Sequence, residues 1–271
     1  MERTSIITSD GIRLDLTDHG GDGAAVMLIA GFTAAATSWV FQVEALVEAD
    51  YRVLCLDRRS HGTSEAPPFG QRMARHGKDL HDVLAGLDLD DVALIGGSMG
   101  ASTIWAYVDQ FGNGRVRGVL SIDQTPKMLN ADGWAYGFYG YTPEMAGTLF
   151  ADGVPMTGRG FTVEQAKPGM IRLLDRLGEG GALRPGLKPE TLPLLRDHAM
   201  QDWRDVIDRV SVPVLMVAGR DSQFWPCEHA EAAVAVNPDG RAVVIDDCGH
   251  VANLDQVEVF NAHMLEFLGE L

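Results

Sequence analysis

The stretch Ile95-Gly96-Gly97-Ser98-Met99-Gly100 decides the fold class of this chain. It reads G-x-S-x-G, follows apolar, strand-like residues at 92–95 and precedes a helix-like segment at 101–111. This context is what a nucleophile elbow requires, because the sharp strand-to-helix turn lifts a serine hydroxyl clear of the sheet. The two flanking glycines lack the β-carbons that would clash where strand and helix approach closely. The pattern therefore predicts Ser98 as a nucleophile.

A histidine near the end of the chain is the matching candidate base. The run Asp247-Cys248-Gly249-His250-Val251 follows strand-like residues at 241–245 and precedes a helix-like segment at 255–268. A serine hydroxyl is a poor nucleophile until a neighbouring base accepts its proton, and imidazole titrates in a suitable range. A carboxylate on the other ring nitrogen fixes the tautomer and stabilises the imidazolium. We therefore predict His250 as the general base.

Composition is ordinary for a globular protein, whereas the charge is strongly acidic. The 271 residues suffice for one large α/β domain, with 46% hydrophobic and 22% charged residues. The net charge of −16 argues against nucleic acid and anionic membranes as partners, since both require clustered Lys and Arg. No apolar run approaches the length of a membrane span, and residues 1–5 lack signal-peptide features. We expect a cytoplasmic protein with a small-molecule substrate.

Cysteine and histidine patterns indicate neither a disulfide framework nor a metal site. Cys55, Cys227 and Cys248 are few and scattered, and none of them forms a C-x-x-C pair. The eight histidines contain no H-E-x-x-H arrangement. We expect no structural metal and no cofactor, whereas the oligomeric state is not determined by the sequence.

Strand-like and helix-like segments alternate along most of the chain, which predicts a mostly parallel sheet with helices on both faces. The first two strands are expected to be antiparallel around a turn at Asp10-Gly11. The eight segments that we interpret as strands are residues 5–8, 12–17, 26–30, 51–56, 92–95, 116–122, 212–218 and 241–245.

One long segment interrupts this alternation. Residues 127–209 contain no strongly strand-like run and are rich in Gly, Pro and aromatic residues. We interpret them as a helical cap inserted between two core parts, residues 1–126 and 210–271. Aromatic residues here either fill a small core of the cap or line a substrate pocket. The candidate pocket residues are Trp134, Tyr136, Tyr139, Tyr141 and, beyond the cap, Trp225.

Four motifs in this order resemble those of the α/β-hydrolase superfamily. Besides the Ser98 elbow and Gly249-His250, the run Ile29-Ala30-Gly31-Phe32-Thr33 is similar to an H-G-x oxyanion loop, with Ala30 in place of histidine. Residues 57–64 are similar to D-x-R-G-H-G-x-S, with Ser60 in place of a glycine. The resemblance implies an eight-stranded, mostly parallel sheet flanked by helices, with a cap. It also implies an oxyanion hole made by the backbone amides of Phe32 and Met99, and we interpret His61 as a structural brace.

The acid of a catalytic triad has two candidates. Relatives usually carry it after the strand that we place at 212–218, in a G-x-x-D-x-x-x-P pattern. Here that segment reads Gly219-Arg220-Asp221-Ser222-Gln223-Phe224-Trp225-Pro226, so Ser222 falls in the acid position and Asp221 one residue early. Some relatives, certain haloalkane dehalogenases among them, place the acid after the preceding strand, where Asp123 stands. We favour Asp123 and keep Asp221 as the alternative acid.

These residues together predict a serine hydrolase acting on an ester-like bond of a small or medium organic molecule. Ser98 is acylated first, and water activated by His250 then releases the acid. The same triad suits a cofactor-free haloperoxidase or perhydrolase, or a lactone or carbon–carbon bond hydrolase. Usual dehalogenation is disfavoured, because it needs an aspartate nucleophile at position 98. From a different class, the alternative is a non-catalytic protein that binds a small ligand on a hydrolase scaffold.

Overall fold

A computed structural model describes residues 1–178 and 188–271. An eight-stranded sheet runs through it in the order β1-β2-β4-β3-β5-β6-β7-β8. Strand β2 pairs antiparallel with β1 and β4, and every other neighbouring pair is parallel. The predicted mostly parallel sheet is confirmed. Its strands are β1 Glu2–Ile7, β2 Arg13–Asp18, β3 Ala25–Ile29, β4 Arg52–Leu56, β5 Val92–Gly97, β6 Val116–Ile122, β7 Val214–Gly219 and β8 Gly240–Ile245.

Helices cover both faces of the sheet. Two hydrophobic clusters lie on opposite faces, and successive residues of β3 alternate between them, as the period of two in a strand requires. The central strands are nearly continuous buried apolar runs because both of their faces are covered. The helices among the described residues are α1 Val40–Glu48, α2 Met73–Gly86, α3 Met99–Phe111, α4 Val163–Leu177, α5 Leu192–Ala199, α6 Arg204–Arg209, α7 His229–Val234, α8 Ala252–Asp255 and α9 Val257–Gly269.

The helices differ from the sequence prediction mainly at their ends. The first helical segment starts as a 3₁₀ turn over Ala36–Trp39 and continues as α1. The helix predicted at 255–268 is observed as α9, and a short helix that was not predicted, α8, precedes it. The two are separated at Gln256, where the backbone leaves the helical region with φ −129° and ψ 63°. Such end effects depend on tertiary packing, which periodicity alone does not report.

The segment between β6 and β7 contains α4, α5 and α6 and no strand within its described residues. Helix α4 begins at a capping box, in which Thr162 and Gln165 satisfy each other's backbone N–H groups. It packs against α8 and α1, whereas α6 packs against α3 and α7. The division into core parts 1–126 and 210–271 and a cap at 127–209 stays a prediction, and residues 179–187 of that cap lie outside the described residues.

Within residues 1–178 and 188–271, no helix combines the length and the apolar character that crossing a membrane requires.

Candidate active site

Ser98 lies on the turn between β5 and α3, as the motif predicts. Its backbone adopts φ 51° and ψ −129°, a sparsely populated conformation for a residue with a side chain. Such strain persists only where the surroundings enforce it, and it concentrates at functional sites. The Ser98 N–H donates to the carbonyl of Ile122 at 2.9 Å, which ties the turn to the end of β6.

Gly100 is required by close packing. A β-carbon at this position would lie 2.1 Å from the carbonyl oxygen of Ile29. We expect Gly100→Ala to lower the free energy of unfolding by about 3 kcal/mol, since overpacking forces backbone shifts. Urea unfolding monitored by circular dichroism measures the loss. The control is Gly114→Ala on the exposed loop after α3, where a β-carbon meets nothing within 4 Å. Equal losses in both variants would contradict the packing argument.

Asp123 lies next to His250. It follows β6 with φ 42°, and its side chain is fully buried. Its Oδ2 lies 2.6 Å from Nδ1 of His250 and also accepts a 2.6 Å hydrogen bond from the hydroxyl of Ser222. Its Oδ1 accepts the N–H of Gly219 at 3.1 Å. Gly219 is the last residue of β7, Ser222 lies in the loop after β7, and His250 lies in the loop after β8. The carboxylate therefore joins the carboxyl ends of three neighbouring strands.

Two histidines keep the Asp123 carboxylate ionised. Burial by itself raises the pKa of Asp123, but interactions with His229 and His250 outweigh burial and lower that pKa to about 2. His229 is fully buried in α7, and its Nε2 lies 3.6 Å from Oδ1 of Asp123. Neither its position in sequence nor its neighbours had identified it as part of the site. A carboxylate with this pKa is charged at every pH near neutrality.

Asp221, the alternative acid, lies elsewhere. Within the described residues its carboxylate forms no hydrogen bond with His250, and its backbone N–H donates to the carbonyl of Cys248. Ser222, which occupies the usual acid position, instead donates to the carboxylate of Asp123. Gln223 accepts the backbone N–H of His250 at 2.9 Å. The sequence indicated a role for Ser222 only through its place in the usual acid position of the G-x-x-D-x-x-x-P pattern. No sequence feature indicated that Gln223 contacts His250.

Arg58 braces the predicted oxyanion loop from beneath. Its buried guanidinium donates from Nε to the carbonyl of Ala30 at 3.0 Å and from Nη2 to the carbonyl of Gly31 at 2.8 Å. Nη2 also lies 3.1 Å from Nε2 of His61, whose Nδ1 lies 2.8 Å from the carbonyl of Arg59. These contacts support the interpretation of His61 as a brace. Arg58 therefore stabilises the predicted oxyanion loop, even though Ala30 replaces the usual histidine.

Two cavities meet at Ser98. The large cavity, of about 530 Å³, is lined by Ser98, His250, Phe32 and apolar residues that include Trp39, Met170, Leu173, Leu174 and Leu254. The small cavity, of about 30 Å³, is lined by Ser98, the predicted oxyanion donors Phe32 and Met99, Met128, and Phe138, Val154, Leu195, His198, Phe224 and Trp225. Met99 is the first residue of α3, so its N–H has no acceptor within the helix.

Most of the predicted pocket aromatics lie outside these two cavities. Among the described residues, Trp225 lines the small cavity, and its ring is 5.4 Å from that of His250. Trp134 instead lines a separate surface cavity and donates its indole N–H to the carbonyl of Lys127. Tyr136 packs edge-on against Trp134, and the ring of Tyr139 lies near Arg159. Tyr141 is buried, and its ring packs on that of Phe150. These four aromatic residues pack mainly against residues of their own segment. This agrees with the alternative in which the aromatic residues fill a small core of the cap.

The loop carrying His250 is also held by Asp255. The N–H of Gly249 donates to Oδ2 of Asp255 at 3.0 Å, while Arg172 of α4 donates to the carbonyls of Leu254 and Asp255. Burial raises the pKa of Asp255 to about 6, although the Gly249 hydrogen bond opposes the shift. The folded state therefore holds the Asp255 proton to higher pH than the unfolded chain, whose pKa is near 3.8.

This raised pKa predicts a pH-dependent stability. Because the folded state binds the proton more tightly, Asp255 lowers the free energy of unfolding as pH rises from about 4 to about 6. Asparagine does not titrate and retains an acceptor for Gly249. We expect Asp255→Asn to gain stability relative to the wild-type protein between pH 4 and pH 7.5, measured by urea unfolding. Asp132→Asn, at an exposed position, is the control. A difference between Asp255→Asn and the wild-type protein that does not change with pH would contradict the assignment.

Comparisons with known proteins agree with this fold. Residues 24–257 match the model of the alpha/beta hydrolase fold family. The chain is similar to a non-heme chloroperoxidase of Kitasatospora aureofaciens, with 26% identity over 97% of this chain and 98% of that protein. It is also similar to a 2-hydroxy-6-oxononadienedioate/2-hydroxy-6-oxononatrienedioate hydrolase of Cupriavidus pinatubonensis, with 24% identity over 95% and 91% of the two chains. A solved esterase from Exiguobacterium antarcticum shares the fold, with a TM-score of 0.79, 24% identity and 98% and 99% coverage.

The chain belongs to the alpha/beta hydrolase fold family. It is an enzyme of that family, since its curated relatives are named as haloperoxidases and hydrolases. This finding disfavours the non-catalytic ligand-binding protein that the sequence left as an alternative.

Proposed function

We propose that the protein is a serine hydrolase that cleaves an ester bond of a small or medium organic molecule. The observation that carries the proposal is the 2.6 Å contact between Nδ1 of His250 and Oδ2 of Asp123, beside a cavity that Ser98 and His250 both line. A serine nucleophile needs a histidine base whose other ring nitrogen is hydrogen-bonded to a buried carboxylate, and Asp123 is such a carboxylate for His250.

The proposed reaction has two steps. The hydroxyl of Ser98 attacks the ester carbonyl while Nε2 of His250 accepts its proton, and the backbone N–H groups of Phe32 and Met99 stabilise the oxyanion. The carbon–oxygen bond then breaks, and the alcohol leaves with the proton from His250. Water activated by His250 next attacks the acyl-Ser98 and releases the carboxylic acid.

Asp123 has an orienting and an electrostatic role in this mechanism. The bonds from Ser222 and Gly219 fix the plane of its carboxylate, so that Oδ2 faces His250. Because the pKa of Asp123 is about 2, the carboxylate is ionised when the imidazolium forms. The opposite charges stabilise that intermediate state, and the Nδ1–H bond holds the ring in the productive tautomer.

The test is hydrolysis of p-nitrophenyl esters from acetate to long-chain acyl, together with labelling by a fluorophosphonate and mass spectrometry of the peptide carrying Ser98. We expect turnover and labelling of Ser98 in the wild-type protein and neither in Ser98→Ala. Turnover that persists in Ser98→Ala, or a label on a different residue, would refute the proposal.

A perhydrolase is the second candidate, favoured by the 26% identity to a non-heme chloroperoxidase. In that reaction hydrogen peroxide, rather than water, attacks the acyl-Ser98, so that a carboxylic acid and peroxide give a peracid and water. The measurement is peracid formation from acetate and hydrogen peroxide, followed by oxidation of bromide. Peracid formation faster than ester hydrolysis would favour this function over the first.

A further inference from the structure

Ser98 lies between two cavities of very different size. The large cavity has a volume of about 530 Å³ and the small cavity about 30 Å³. Ser98 and Phe32 line both and form the boundary between them. An ester whose carbonyl carbon lies at Ser98 has an acyl chain on one side and an alcohol on the other. Each side must occupy one of these two cavities.

His250 decides which substituent enters which cavity. Among the described residues it lines the large cavity and not the small one, whereas Met99 lines only the small one. The alcohol oxygen receives the proton of His250 when the carbon–oxygen bond breaks, so it must lie on the side of that histidine. The alcohol therefore extends into the large cavity, and the acyl chain extends into the small cavity.

The small cavity restricts the acyl chain to a short one. A water-sized group needs about 10–15 Å³ on the same measure, so the small cavity has room for roughly two heavy atoms. Phe138 and Trp225, which are 1% and 2% exposed, form rigid walls. Its polar wall is His198, whose pKa is lowered to about 3 by burial and by the charge of Arg58. A neutral imidazole offers no cation to a substrate carboxylate, which favours an uncharged acyl chain.

The large cavity suits a bulky apolar alcohol. Its volume lies within the range of about 300–1,000 Å³ that is usual for small-molecule sites. Trp39 forms one wall, and Met170, Leu173 and Leu174 of α4 form another. In perhydrolysis the leaving group is water and the attacking group is hydrogen peroxide, and neither needs a cavity of this size. The volume of the large cavity therefore favours an alcohol leaving group.

We propose that the substrate class is an uncharged ester of a short acyl group, acetyl or propionyl, with a bulky apolar alcohol. The assignment rests on the proposed function. The hydroxyl of Ser98 bonds to the carbonyl carbon, the bond from that carbon to the alcohol oxygen breaks, and the alcohol departs with the proton from His250. Water then releases the short carboxylic acid from Ser98.

Two isomeric esters test the assignment directly. Benzyl acetate joins a short acyl group to a bulky alcohol, and methyl phenylacetate has the same atoms with the two sides exchanged. We expect kcat/KM for benzyl acetate to exceed that for methyl phenylacetate by at least about tenfold, since a misplaced apolar group is discriminated on this scale. Equal values, or a preference for methyl phenylacetate, would overturn the assignment.

A pair of variants on α4 tests the alcohol side. Leu174 lines the large cavity and is 46% exposed, so Leu174→Trp narrows the cavity without overfilling the core. We expect it to lower kcat/KM for benzyl acetate about tenfold more than for ethyl acetate. Ile171→Trp is the matched control, because Ile171 is 53% exposed on the same helix and, in the described residues, lines neither cavity. If both variants changed the ratio of kcat/KM for benzyl acetate to kcat/KM for ethyl acetate equally, the placement of the alcohol in the large cavity would be refuted.

The outcomes separate this assignment from the proposed function. If p-nitrophenyl esters are cleaved in a Ser98-dependent way and methyl phenylacetate is preferred, the hydrolase stands and the substrate class is wrong. If no ester is cleaved and the fluorophosphonate does not label Ser98, the proposed function fails and the substrate class fails with it.

Discussion

Ser98→Ala is expected to lower kcat for ester hydrolysis by about 10⁶-fold, the scale of loss when the nucleophile of a serine triad is removed. The residual rate comes from substrate binding and oxyanion stabilisation, which the variant retains. Since Ser98 lies between β5 and α3 in a strained conformation that alanine also has to adopt, the fold is not expected to gain from the change. Steady-state kinetics with p-nitrophenyl acetate measures the effect.

Ser102→Ala is the matched control for this prediction. Ser102 lies in the first turn of α3, the helix that follows Ser98, and its buried hydroxyl has no hydrogen-bond partner among the described residues. Removing it should leave kcat within about twofold, because no polar partner is lost. More than about 1% residual activity in Ser98→Ala would contradict the role of Ser98 as nucleophile.

Asp123→Asn is expected to lower kcat by about 10⁴-fold, because asparagine allows the wrong tautomer of His250. The carboxylate accepts hydrogen bonds on both oxygens, from His250 and Ser222 on one and from Gly219 on the other. Asparagine has a single oxygen, so its amide N–H₂ must face either His250 or the N–H of Gly219. The buried mismatch should also lower the free energy of unfolding by about 1–3 kcal/mol. Kinetics are therefore measured well below the unfolding temperature, with circular dichroism as the check on folding.

Asp221→Asn is the matched control, since it removes the neighbouring carboxylate that makes no hydrogen bond with His250 in the described residues. We expect its kcat to stay within about twofold of the wild-type value. A large loss in Asp221→Asn with little loss in Asp123→Asn would reverse the assignment of the acid.

The ionisation of Asp123 also predicts acid sensitivity. Its folded-state pKa of about 2 lies below the unfolded value of 3.8, so the charged carboxylate stabilises the fold above about pH 4. That contribution is lost as pH falls through about 2. Across the neutral range the carboxylate does not titrate, and changes in activity there must come from other groups.

Local motifs explain why so much could be predicted. The elbow at Ser98 is encoded by neighbouring residues, since Gly96 permits the close approach of β5 to Ala101 of α3 and Gly100 permits that of α3 to the end of β3. Short apolar runs predicted the ends of seven strands to within about two residues. The first strand was predicted in the right place but shorter than it is. Both kinds of signal act over a few residues, so a single sequence is enough to detect them.

The acid and the pocket depend on contacts between distant parts of the chain. Asp123 and His250 are 127 residues apart, and Ser222 reaches the same carboxylate from 99 residues away. The sequence favoured Asp123 only because the register placed Ser222 in the usual acid position. The approach of His229 from α7 had no sequence signal, because a buried histidine in a short helix resembles any other packed side chain.

By itself, the sequence determined the order of strands and helices, the elbow at Ser98 and the base candidate His250, because each is a property of neighbouring residues. The tertiary structure decided which aspartate meets His250, which aromatics approach Ser98, and how α4 and α8 enclose the large cavity. Trp225 and Leu174 reach the site, while Trp134 does not, because packing between segments far apart in the chain sets where each side chain lies.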